Sequence, residues 1–268
     1  MAFVPRDFHD QGLGKQGIGK QGFVKACLNG GTSRSEHSGV PLTPAELAAS
    51  ARDAAAAGAA AVHVHPRASA GEQSLDPADV LPAVAAIRSA CGLPVGVTTG
   101  IWAVDGDADR RLSLVAGWTG PDKPDFASIN VNEPGIDALA ALLLDLGIEV
   151  EAGVWTVEDV GLLAASTLAR RAFRVLFEPT SRDPQSALSA AAAMSAAVLG
   201  LGITAPQVHH GYGLATWEVI RWAVDEGFGV RVGLEDTTVL PDGSLAAGNG
   251  ELVAAAVRIA SEARGPGR

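Results

Sequence analysis

Eight short runs rich in Val, Ile and Ala alternate with Ala- and Leu-rich stretches, and together they predict an α/β fold of the (β/α)8 TIM-barrel class. Two observations favour a closed barrel over a doubly wound open sheet. Eight strand–helix units in about 250 residues is the arithmetic of such a barrel. No dinucleotide fingerprint follows the first run, because the adjacent glycines of LNGGTSR (28–34) lack its spacing.

The strands are expected at FVKACLN (23–29), AAVHVH (60–65), PVGVTT (94–99) and DFASINV (125–131). Four more are expected at EVEAGV (149–154), RVLFEP (174–179), PQVHH (206–210) and GVRVGLED (229–236). Start signals mark the helices between them. Thr43, Pro44 and Glu46 form a capping box with proline at the first helical position. Asp76–Pro77 and Asp183–Pro184 repeat the Asp-Pro start. Segments 135–147, 215–227 and 249–264 fill further gaps, and 105–117 and 157–166 carry fainter helical patterns. One barrel domain is expected over 23–268. Residues 1–22, which hold most of the small repeat GLGKQGIGKQGF (12–23), are expected to be an arm or short hairpin.

Composition narrows the function classes. At 268 residues and 47% hydrophobic, the chain can bury one substantial core, or at most two small ones. A formal charge of −10 argues against nonspecific binding to nucleic acid or anionic membrane. No apolar run is long enough to span a bilayer, and the start lacks a signal-peptide apolar region. Two cysteines, Cys27 and Cys91, make a disulfide framework unexpected and a reducing cytoplasm the default.

Two of the six histidines stand in HVH. Side chains alternate along a strand, so His63 and His65 share one face while Val62 and Val64 take the other. The valines suit the layer under the helices, which turns the histidines into the barrel near its catalytic end. Two imidazoles there can share one metal ion, and a catalytic zinc needs a third ligand plus an open position. In GVRVGLED, continued alternation puts Arg231, Gly233 and Glu235 on one face, with Glu235 at the mouth. Glu178, His209 and His210 are rival third ligands. Asp236 follows at the rim as a candidate general base. Arg231 is expected to depress its pKa.

At these residues the chain resembles a known family. CLNGGTSR, TPAELAASARDAAAAGAAAVHVHPR, VGVTTGIW, PDFASINVNEPG, GIEVEAGVW, VLFEP and VGLEDTTVLPDG are similar to the β-keto acid cleavage enzymes, from about residue 23 to 258. The resemblance implies a zinc-dependent barrel that condenses a β-keto acid with acetyl-CoA, yielding acetoacetate and a new acyl-CoA. It makes His63, His65 and Glu235 the zinc ligands, Asp236 the acid/base and Arg231 the residue that holds it. Glu151 matches a family glutamate near that base. Thr99, Ser128 and Asn130 are the implied substrate contacts. Thr32, standing where many relatives carry an acidic residue, is a fourth. The implied assembly is a homo-oligomer, a tetramer.

For CoA, Gly211 and Gly213 precede a helix after strand 7, a usual phosphate region of these barrels. An ordinary glycine turn explains them equally well. Trp102 and Trp217 are candidate mouth residues. Two other functions fit parts of the pattern. A metal-dependent hydrolase of the amidohydrolase type also uses H-x-H, but its pair ends strand 1 and it needs histidines on strands 5 and 6. The other is a non-catalytic metal- or CoA-binding barrel.

Overall fold

A computed structural model describes residues 22–263. The segment expected to form an N-terminal arm lies, but for its last residue, outside them. Eight strands close into a barrel in sequence order. They are β1 (Val24–Cys27), β2 (Ala61–Val64), β3 (Val95–Thr98), β4 (Phe126–Asn130), β5 (Glu149–Val154), β6 (Arg174–Phe177), β7 (Gln207–His209) and β8 (Gly229–Val232). Every pairing is parallel, and β1 bonds both β2 and β8. The expected fold class is the observed one.

The outer layer comprises α1 (Pro44–Ala56), α2 (Pro77–Cys91), α3 (Ala108–Val115), α4 (Ile136–Asp145) and α5 (Val157–Ala165). It continues with α6 (Leu168–Arg171), α7 (Pro184–Gly200), α8 (Ala215–Asp225) and α9 (Asn249–Glu262). The Thr43–Glu46 capping box forms, and Asp76 and Asp183 cap α2 and α7 through their side chains. Each satisfies helix N–H groups that would otherwise lack partners. Val62, Val64, Val97, Ala127, Ile129 and Val175 belong to the buried apolar cluster that the helices cover.

The opposite strand face fills the barrel. Lys25 of β1 bonds Glu151 of β5 at 2.5 Å, and Arg174 Nε of β6 lies 3.0 Å from the same carboxylate. The Arg174 guanidinium rests 4.4 Å from the Phe23 ring centroid and 5.1 Å from that of Phe126. Side chains from four strands can meet this way only inside the ring. The ion pairs and aromatic faces offset the cost of burying these charges. Gly96 of β3 leaves the room that Phe126 occupies, since a Cβ there would stand 1.9 Å from the ring.

One expectation fails. Strand alternation does not extend to Glu235, because β8 ends at Val232. The backbone turns there, with Asp236 N–H and Thr237 N–H both donating to the Gly233 carbonyl at 2.9 and 3.0 Å. Gly233 is required by close approach, as a Cβ would lie 1.9 Å from the Cys27 carbonyl oxygen. Glu235 reaches the mouth through this turn and not through strand periodicity.

Candidate metal centre and active site

The histidine pair sits at the carboxyl end of β2, His63 within it and His65 just beyond. Asn29 pins the second: its Oδ1 accepts from the His65 N–H at 2.9 Å, and its Nδ2 donates to the His65 carbonyl at 2.8 Å. Glu235 arrives from the opposite side of the β1 seam. His65 Nε2 lies 3.5 Å from Glu235 Oε1, and His63 Nε2 lies 4.0 Å from Glu235 Oε2. One ligand atom from each of the three falls within 4.8 Å of the others. Glu235 Oε2 is buried with no hydrogen-bond partner. Two imidazole nitrogens and a carboxylate oxygen, one of them buried and unpartnered, fit a divalent metal of the zinc type. Gly30 makes room for the carboxylate, for a Cβ there would sit 2.2 Å from Glu235 Cγ.

Arg231 is the electrostatic hub. Its Nη2 donates to Asp236 Oδ1 at 2.6 Å and to Glu235 Oε1 at 2.9 Å, while Nη1 lies 3.2 Å from Glu178 Oε2. His210 bridges from the other side, Nε2 at 3.2 Å from Glu178 and Nδ1 at 3.2 Å from Asp236. Burial would raise the Glu235 carboxyl, but the Arg231 guanidinium beside it holds it well below the usual range. Burial pushes His63 well down, which favours the neutral, ligating ring. Asp236 corrects an expectation. Arg231 and His210 lower its pKa, yet burial together with Glu235 prevails and the carboxyl stands above its ordinary value.

A cavity of about 320 Å³ opens over this cluster. Thr32, Ser128 and Asn130 line it, together with His63, His65 and Glu235, and so do Glu178, Arg231 and Tyr212. Thr99 stands outside the wall, its hydroxyl donating to the Ser128 carbonyl at 2.6 Å; Thr98, on the inward face of β3, takes its place. Glu151 lies in the barrel interior on Lys25 and Arg174. Gly213 donates its N–H to the Asp236 carbonyl at 2.9 Å, and the Gly211 carbonyl accepts from Thr216 Oγ1 at 2.6 Å. Of the rival ligands, His210 and Glu178 join the Arg231 cluster. His209 faces the helices, stacked on Phe177 at 4.3 Å, and burial pulls its pKa down to about 3. Trp102 reaches the cavity, whereas Trp217 is buried and donates to the Val239 carbonyl at 2.9 Å.

Sequence reasoning missed Asn29 and Gln73. Gln73 Oε1 lies 2.7 Å from His65 Nδ1 and 2.8 Å from Trp102 Nε1. It stands in the irregular β2–α2 connection, where no periodicity singles it out.

The sequence model of the family described as beta-keto acid cleavage enzyme matches residues 22–266. The chain belongs to that family. The match takes in all eight strands and every residue of the metal-centre cluster. Among solved structures, ObcA in binary complex with oxaloacetate matches with a TM-score of 0.64 at 21% identity, over 80% of this chain and 62% of that one. A ternary complex of ObcA with a C4-CoA adduct and oxalate matches with a TM-score of 0.64 at 20% identity, over the same 80% and 62%. The 3-dehydroquinate dehydratase from Geobacillus kaustophilus HTA426 matches at 0.59 and 12% identity, over 92% and 93%. This family member thus spans 62% of the ObcA chain, and likenesses at these identities concern the barrel fold. Among the described residues, no helix is long and apolar enough to cross a membrane.

Proposed function

We propose that this family member is zinc-dependent and condenses a β-keto acid with acetyl-CoA, giving acetoacetate and a new acyl-CoA. One observation carries the reading: His63, His65 and Glu235 converge with an unpartnered carboxylate oxygen, directly beside Asp236. ObcA complexes with oxaloacetate, itself a β-keto acid, and with a C4-CoA adduct support the same pair of reactants.

In this reading His63 Nε2, His65 Nε2 and Glu235 hold the zinc. Bound there, it supplies Lewis-acid stabilisation of the oxygen anion that develops when a β-ketone is cleaved. Asp236 is the acid/base. Its Oδ1 is fixed by Arg231 and His210, and its buried Oδ2 has no protein partner, so Oδ2 is the atom that takes and returns the proton. Arg231 holds Asp236 and Glu235 at fixed spacing. Glu151, with Lys25 and Arg174, forms the charged layer below. Thr32, Ser128 and Asn130 contact the keto acid, and Thr99 holds the Ser128 backbone that presents it. The Gly211–Gly213 turn, whose Tyr212 lines the cavity, borders the path for CoA. We assign the enzyme to the cytoplasm as a homotetramer.

The test is a panel of β-keto acids incubated with acetyl-CoA and the zinc-loaded enzyme, analysed by mass spectrometry. Acetoacetate should appear together with a matching acyl-CoA. Full turnover without acetyl-CoA, or full activity after complete metal removal, would overturn the reading.

A further inference from the structure

The two hydrogen bonds at Gln73 fix more than its own position. An indole N–H can only donate, so the Gln73 atom 2.8 Å from Trp102 Nε1 has to be the amide oxygen. This removes the usual ambiguity over which way a glutamine amide points. The same oxygen faces His65 Nδ1 at 2.7 Å, so Nδ1 must carry the hydrogen and donate. A neutral imidazole has one N–H. With that hydrogen on Nδ1, His65 Nε2 keeps its lone pair, and Nε2 is the atom directed at Glu235. The Trp102 ring stacks over His65 at 6.3 Å with 17° between planes, so the two rings and the amide close a triangle. His63 has no such device, for its Nδ1 is buried without a partner.

We propose that Trp102 and Gln73 are positioning residues that preset His65 as its Nδ1–H tautomer, leaving Nε2 ready to hold a metal. The inference rests on the metal-centre reading and adds how that ligand is prepared before the ion arrives. The control runs in one direction. If the indole donor is lost, the amide is free to turn over and offer its NH2 to His65 Nδ1. That orientation favours the other tautomer, whose Nε2 bears the hydrogen and cannot ligate. A carboxylate at position 73 has no donor to offer, so it holds the same tautomer whether or not the indole is there.

The experiment is a double-mutant cycle on the full chain with W102F, Q73E and the pair combined. Trp102 is 44% exposed and its replacement keeps an aromatic ring, so the variants should fold. Zinc affinity is read by chelator competition. The tautomer is read from long-range ¹H–¹⁵N couplings of His65 in metal-free protein in alkaline buffer. W102F should weaken zinc about tenfold, the lower end for a residue supporting a ligand. The same change should cost less than about twofold when Q73E is also present. Equal losses in both backgrounds would mean that Trp102 acts by packing, and would overturn the proposal. An Nε2–H tautomer in the metal-free wild type would overturn it as well. Wild-type protein that shows the Nδ1–H tautomer yet binds no zinc would uphold the tautomer control and sink the metal-centre reading.

Discussion

Arg231 Nη2 lies 2.6 Å from Asp236 Oδ1, and both side chains are almost wholly buried. A guanidinium in this position neutralises three neighbours at once, Glu178, Glu235 and Asp236. Its removal strands carboxylates in a medium that solvates them poorly. Arg231→Met should therefore cost about 3–5 kcal/mol in urea unfolding, the loss typical of breaking a buried ion pair from one side. A loss below about 1 kcal/mol would show that water or a bound cation already screens the cluster.

Asp236→Asn keeps the side chain's shape and its oxygen toward Arg231, but removes the proton acceptor. Turnover should fall by about 10²–10⁴ while zinc content stays at the wild-type level. Metal analysis beside steady-state kinetics separates the two effects. Retained turnover would take Asp236 out of the reaction.

Gly30 and Gly31 form a matched steric pair. Gly30 has φ +49°, and an added Cβ would press into Glu235 Cγ at 2.2 Å; at Gly31 the nearest atom is an ordinary 3.8 Å away. Gly30→Ala should lose at least half its zinc and melt lower, with about 1–2 kcal/mol of backbone strain added to the clash. Gly31→Ala should retain its zinc. Equal metal content in the two variants would contradict the placement of Glu235.

Acid sensitivity at the first helix has a defined sign. Hydrogen bonds from Thr43 and Leu42 and the contact with Arg34 hold Glu46 down at about 2, despite partial burial. A depressed carboxyl contributes stability that is full above its free value of 4.5 and is lost as pH falls toward 2. Glu46→Gln should thus be less stable than wild type at pH 7, by about 1 kcal/mol or less for a part-exposed cap. The two unfolding curves should converge as the buffer is taken from pH 5 to pH 2.

Local chemistry made much of the architecture legible. Short apolar runs bounded by Gly and Pro fall within a residue or two of β1 to β7, because the strand faces under the helices are mostly apolar and buried. HVH announced its orientation through alternation. GVRVGLED misled because alternation says nothing about where a strand stops; the Gly233–Cys27 contact that ends β8 joins residues far apart in sequence. The raised Asp236 pKa is hidden for a related reason: a neighbouring charge is visible in the sequence, whereas burial is not. Asn29 grips His65 through two hydrogen bonds, Gln73 joins His65 to Trp102, and Lys25 finds Glu151 across the barrel, so nothing beside any of them in the chain marks their partners.

The turn that replaces the end of β8 has a mechanical consequence. Glu235 and Asp236 are chain neighbours, so their Cα atoms stay about 3.8 Å apart whatever the ring around them does. Staves of a barrel can slide and breathe against one another, and a spacing measured across two staves drifts with them. A spacing set by one peptide unit does not. Substitutions in the outer helices can therefore shift this acidic couple relative to β2 as a rigid unit, without altering the stagger between its two members.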